Sequence, residues 1–139
     1  MQLAPLVTTI EELECKQSDG YANKFSSGLA LIGLNQLKKI DSINEKRRQT
    51  AQVWDDWCRN NNYKPPTVIQ NSIPVFLRYP IMIEPNKKAD TRWVAKELKV
   101  ELGVWFVSHL HPQNHYLVGF PNADKAIAQC VNLPGIIKC

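Results

Sequence analysis

The chain has 139 residues, 44% of them hydrophobic and 22% charged, which suits one domain with a real core and excludes a disordered tract. Its formal net charge of +4 is compatible with an anionic ligand but is too weak a basic bias to imply nucleic acid. No apolar run approaches the roughly 20 residues that span a bilayer, and Met1–Glu14 has no basic start before an apolar stretch, so neither membrane nor secretory signal is expected.

The four cysteines, Cys15, Cys58, Cys130 and Cys139, are widely spaced and form no CxxC pair. That spacing fits neither a zinc ribbon nor the disulfide framework of a small secreted domain. Free thiols in a reducing cytoplasm are the expectation.

In chain order, Thr9 and Glu12 fit a capping box over a short helical turn from Ile10 to Lys16, broken at Ser18-Asp19-Gly20. Ser26 or Ser27 then offers an N-cap hydroxyl. From Ser26 to Asn60, apolar residues recur mainly three and four apart and proline is absent, which predicts one continuous helix. At 1.5 Å per residue it would run roughly 50 Å, longer than a small domain is wide, so it must overhang its own domain or lie along another. Gly28 and Gly33 in its first turns would let another backbone approach closely. Glu45 with Arg48, and Asp55 with Arg59, fit surface pairs, and the Asn60–Asn62 run followed by Pro65-Pro66 ends the helix.

Ser72 to Glu84 reads as a strand edged by Pro74 and Pro80. Pro85-Asn86 turns the chain, and a helix follows from Asp90 or Thr91 to Leu102, with Gly103 just past its end. Val104–Ser108 predicts a short strand and His109–Phe120 a polar loop. A helix starts at Pro121 and stops at Asn132–Gly135, and Ile136-Ile137 could begin a last strand. The fold class this predicts is α+β: a long N-terminal helix, then a small, mainly antiparallel sheet with helices packed on one face.

The residues Gly20, Tyr21, Ser26, Ala30, Gly33, Gln36, Leu37 and Arg47-Arg48 stand in one register. In that register the segment resembles the opening of the C-terminal domain of the DegT-type sugar aminotransferases, fold type I enzymes that use pyridoxal phosphate (PLP). The resemblance continues more weakly through Pro74–Ile83, Gly103-Val104, Leu110-His111, Pro121-Asn122-Ala123 and Leu133-Pro134. It implies an N-terminal extension over residues 1–19 and a small domain over residues 20–139. The large domain that carries the Schiff-base lysine is expected to lie outside this chain. On that reading the chain is a fragment or degenerate C-terminal domain of an enzyme that aminates keto-sugar nucleotides. It would be inactive by itself, hold no catalytic residue and bind no PLP alone. The alternative is a non-catalytic interaction or dimerisation module from the same family.

The resemblance also marks site residues. The family arginine beside the cofactor phosphate falls at Lys24, which keeps the charge but loses the bidentate fork. The family asparagine that reaches the phosphate falls at Ala22, with Asn23 adjacent, and an early helix glutamine falls at Leu29. Tyr21, Asn23 and Lys24 are the cofactor-side candidates and His111 the substrate-side one. His109, His111 and His115 also invite a metal, but no carboxylate or cysteine lies near them in sequence, so none is assigned. Partners are expected through Ser26–Asn60, as a homodimer or with the large domain. The basic clusters Lys38-Lys39 and Lys46–Arg48 share their helix with Asp41, Glu45, Asp55 and Asp56, the pattern of a solvated face. Trp54, Trp57 and Trp93 fit core or interface positions better than a base-stacking platform.

Overall fold

The computed structural model describes residues 10–14, 16–17, 24, 26–104, 107–110 and 113–137. Thr9, Tyr21, Ala22, Asn23, Trp105, Phe106 and His111 lie outside them. The elements run α1 (Ile10–Leu13), α2 (Ser27–Leu37), α3 (Ile40–Asn60), β1 (Arg78–Met82), α4 (Pro85–Ala89), α5 (Arg92–Glu97), α6 (Pro121–Gln129) and β2 (Cys130–Pro134). The class is α+β, with helices around a two-stranded antiparallel sheet.

The expected single helix is two. Ser26 caps α2 by accepting the Leu29 N–H on its hydroxyl, as its position predicts. At Lys39 the backbone turns to φ −103° and ψ 0°. There the Lys39 N–H bonds back only three residues, to Gln36, and the Ser42 hydroxyl donates to the Lys39 carbonyl. The same carbonyl also accepts the Ile43 N–H at 3.0 Å, so the helical ladder resumes at once with α3. α3 ends where the asparagines predict: Asn62 adopts φ 60°, and Tyr63 N–H reaches back to Cys58 O at 2.8 Å.

The core lies between the second half of α3 and one face of the sheet. Trp54 and Cys58 meet Tyr79, Ile81, Ile83, Val131 and Leu133, all essentially buried. Full burial of side chains of this size contributes about 1.5–3 kcal/mol each. β1 and β2 pair in register from Arg78↔Pro134 to Met82↔Cys130, and Trp54 Nε1–H ties α3 to the end of β2 by donating to Pro134 O at 2.9 Å. No residue of α2 is buried, and in α3 burial starts only at Thr50. α2 and the start of α3 therefore contribute nothing buried to the core, although not as the single long helix that was expected.

Other boundaries moved. β1 is shorter than the apolar run Ser72–Glu84. A one-turn helix, α4, occupies the expected turn at Pro85, which presets φ at a first helical position. α5 stops at Glu97 because Lys99 takes the left-handed conformation, φ 54°, that was expected of Gly103. Gly103 instead pairs with Asn132 through both its N–H (2.8 Å) and its carbonyl (2.9 Å) on the far side of β2. The described part of Val104–Ser108 forms no strand, and the last strand is Cys130–Pro134 rather than Ile136-Ile137.

Candidate functional site

The strongest site signal in the sequence was the loop running into α2. Lys24 is exposed there. Ser26 satisfies the Leu29 N–H and, through its carbonyl, the Ala30 N–H at 2.9 Å. The Ser27 and Gly28 N–H groups have no acceptor among the described residues. A Cβ placed on Gly28 would meet nothing within 4 Å. An exposed cation beside two open amides at a helix N-terminus fits the phosphate end of an anionic cofactor. No described residue adds a contact for the rest of such a group. Tyr21, Asn23 and His111 lie outside the described residues, so Lys24 is the one candidate the structure locates.

α2 itself is unusual. Leu29, Leu31, Ile32, Leu34 and Leu37 are each more than half exposed. At 100° per residue they fall on all sides of the helix rather than on one stripe. Nothing among the described residues approaches Gly28 or Gly33, so the close contact their size permits is not made within the described chain.

Two side-chain clusters were not read from the sequence. In the first, Trp57 stacks between Tyr63, with centroids 5.3 Å apart, and Trp93, at 6.3 Å. Lys87 Nζ lies over both outer rings and donates to the Tyr63 hydroxyl at 2.7 Å, and that hydroxyl donates to Glu84 at 2.8 Å. The Glu84 carboxylate is held below its usual range by its own backbone N–H first and by Tyr63 next. The residues come from four separate stretches, so no local pattern announces them. Trp54 lies in the core and Trp57 and Trp93 pack against it, the core or interface positions that were expected.

The second cluster corrects the reading of His109 as a polar loop residue. Its side chain is only 4% exposed, and its Nε2 lies 3.1 Å from Asp124 Oδ1. Nδ1 accepts the Leu117 N–H at 3.2 Å, which places the proton of a neutral ring on Nε2. The Nε2–Asp124 contact meets a charge-pair distance without hydrogen-bond geometry, so it is electrostatic rather than directional. Tyr116 and Phe120 ring the imidazole. His115 is exposed. Among the described residues no three His, Cys, Asp or Glu side chains converge as a metal site, and no helix is long and apolar enough to cross a membrane. Cys58 and Cys130 are free thiols.

No solved structure matches the chain. An uncharacterized protein of Methanocaldococcus jannaschii is similar, 27% identical over 135 residues, an alignment covering 89% of this chain and 34% of that protein. The chain thus spans about a third of that relative's length. The model of the DegT/DnrJ/EryC1/StrS aminotransferase family matches residues 9–138. With its helix-opening segment and its small antiparallel sheet, the chain belongs to the DegT/DnrJ/EryC1/StrS aminotransferase family.

Proposed function

We propose that residues 20–139 are the small domain of a PLP-dependent aminotransferase that acts on a keto-sugar nucleotide. They would work only with a large domain supplying the Schiff-base lysine, and by themselves they would be inactive. The family match over residues 9–138 carries this reading. The exposed α2 supports it. A helix that is apolar on every side needs to be enclosed, and a two-fold pairing of α2 with its copy covers only one face. A groove in a large domain encloses it. The alternative, a dimerisation module, draws on the loss of the family asparagine at Ala22 and glutamine at Leu29.

PLP, when bound, supplies the electron sink for moving an amino group. The part of this chain is to bind and orient. Lys24 and the open Ser27 and Gly28 amides would neutralise the phosphate at the start of α2. His111 would face the substrate. We assign the chain to the cytoplasm, where thiols such as Cys58 and Cys130 stay reduced.

The test is the visible spectrum of the purified chain with added PLP, followed by borohydride reduction and peptide mapping. The expected result is no band, or scattered labelling of surface lysines. A stoichiometric adduct at Lys24 would overturn the claim that the chain is inactive alone. For the occupant of α2, Leu37→Glu should leave the solution mass of the chain unchanged. A fall in mass would establish self-association through this helix and favour the dimerisation module.

A further inference from the structure

The outer edge of β1 is open. Ile83 N–H bonds to Gln129 O at 3.0 Å, in register with the ladder, so Tyr79, Ile81 and Ile83 face β2. Pro80 and Met82 therefore direct their main-chain groups outward. Among the described residues the Pro80 carbonyl and the Met82 N–H and carbonyl have no partner.

Beside this edge runs the segment 62–67, which belongs to no helix or strand. A groove of about 410 Å3 lies between Lys64–Thr67, Pro80–Met82 and the α6 residues Lys125 and Gln129. A second groove of about 300 Å3 continues it between Asn62–Lys64 and Met82–Pro85. Neighbours in a strand face opposite sides, and the Ile81 side chain is in the core. The groove touches residues 80, 81 and 82 in turn and also reaches Gln129, so it takes in the open edge together with the outer face that carries Pro80 and Met82. The order of contacts also sets segment 62–67 antiparallel to β1, with the gap between them. The gap has a chemical reason: Pro65, Pro66 and Pro80 carry no N–H, so the two segments cannot zip together.

We propose that this slot takes an extended acidic peptide segment as a strand added beside β1. Met82 exchanges two hydrogen bonds with one residue of the incoming strand, and the Pro80 carbonyl accepts a third from the residue two further along. The missing Pro80 N–H and the proline wall stop the ladder there, so a short segment docks in one register and open-ended sheet growth is blocked. Lys64 and Lys125 flank the slot, and neither pairs with a carboxylate among the described residues. They favour acidic side chains at that end. The carboxylate at the other end, Glu84, is already engaged by Tyr63 and Lys87. Pro66, Pro80 and Met82 offer apolar contacts for the alternate residues.

The probe is the fluorescein-labelled peptide Val-Glu-Val-Glu-Val, blocked at both ends and titrated into the full chain by anisotropy and by amide NMR. Binding should saturate and shift the Met82 amide. Exchanging the two glutamates for lysine, or making the exposed pair Lys64→Glu and Lys125→Glu in the protein, should weaken it roughly tenfold or more. N-methylation of the central valine should weaken it likewise, because a backbone donor is lost. An unmoved Met82 amide, equal affinity for the lysine peptide, or shifts confined to α2 would each overturn the proposal. The slot lies within the fold of this chain, so the outcome does not depend on a large domain.

Discussion

Gly135→Ala is expected to destabilise the chain severely, although alanine normally gains over glycine. Gly135 follows β2 directly, where the chain passes under the start of β1. A Cβ there would sit 2.3 Å from Leu77 O, 2.6 Å from Phe76 O and 2.9 Å from Leu77 C. All three are backbone atoms, so no side chain can rotate away. Relief requires the Phe76–Leu77 backbone to shift by about 1 Å against a close-packed interior. That segment leads into Tyr79, which is fully buried. Overpacking of this kind costs about 3 kcal/mol, against a gain of at most about 1 kcal/mol from a stiffer unfolded chain. The net loss is about 2 kcal/mol. Taking a urea m-value of about 2 kcal/mol/M, the unfolding midpoint should fall by about 1 M with m unchanged. The companion Gly28→Ala, where a Cβ meets nothing, should not lower it. If Gly135→Ala unfolds with the wild-type midpoint, the close passage of these two chain segments is wrong.

Two further predictions follow from the core. Trp54→Phe should cost more than Tyr79→Phe, about 2–3 against about 1 kcal/mol by urea denaturation. The first leaves Pro134 O without its donor and removes volume, while the second leaves Asp55, which is half-buried and able to bind water. The reverse order would refute that accounting. Stability should also depend on alkaline pH. Burial pushes the Cys58 thiol up, and burial followed by the hydrogen bond to Asp55 does the same for Tyr79. Groups raised in the folded state contribute stability that is complete below their ordinary values, for a thiol about 8.5, and that is lost as pH rises through the folded values. Lys88 acts in the opposite sense. Burial lowers it, so stability rises with pH between its folded value and its ordinary value of about 10.4. Between about pH 8 and about pH 10, Cys58→Ala should flatten the fall of the urea midpoint and Lys88→Met should steepen it. Parallel profiles for all three proteins would rule this out.

The sequence by itself determined the features written in local chemistry. Ser26 caps a helix because its hydroxyl precedes an apolar run, and Asn60–Asn62 closes one because asparagine tolerates the left-handed turn. The α+β class and the family were legible because periodicity and a register of residues across the chain survive without coordinates. Lys24 became a candidate for the same reason, by its place in that register, and the structure shows it exposed ahead of α2. What only the tertiary structure decided rests on residues distant in sequence. Trp57, Tyr63, Glu84, Lys87 and Trp93 form one cluster, and His109 is buried against Asp124, because packing brings separate elements together. The choice of Lys99 over Gly103 for the left-handed position was also tertiary. Gly103 was drawn into pairing with Asn132, and two ladder hydrogen bonds outweigh the modest strain of a non-glycine residue at positive φ.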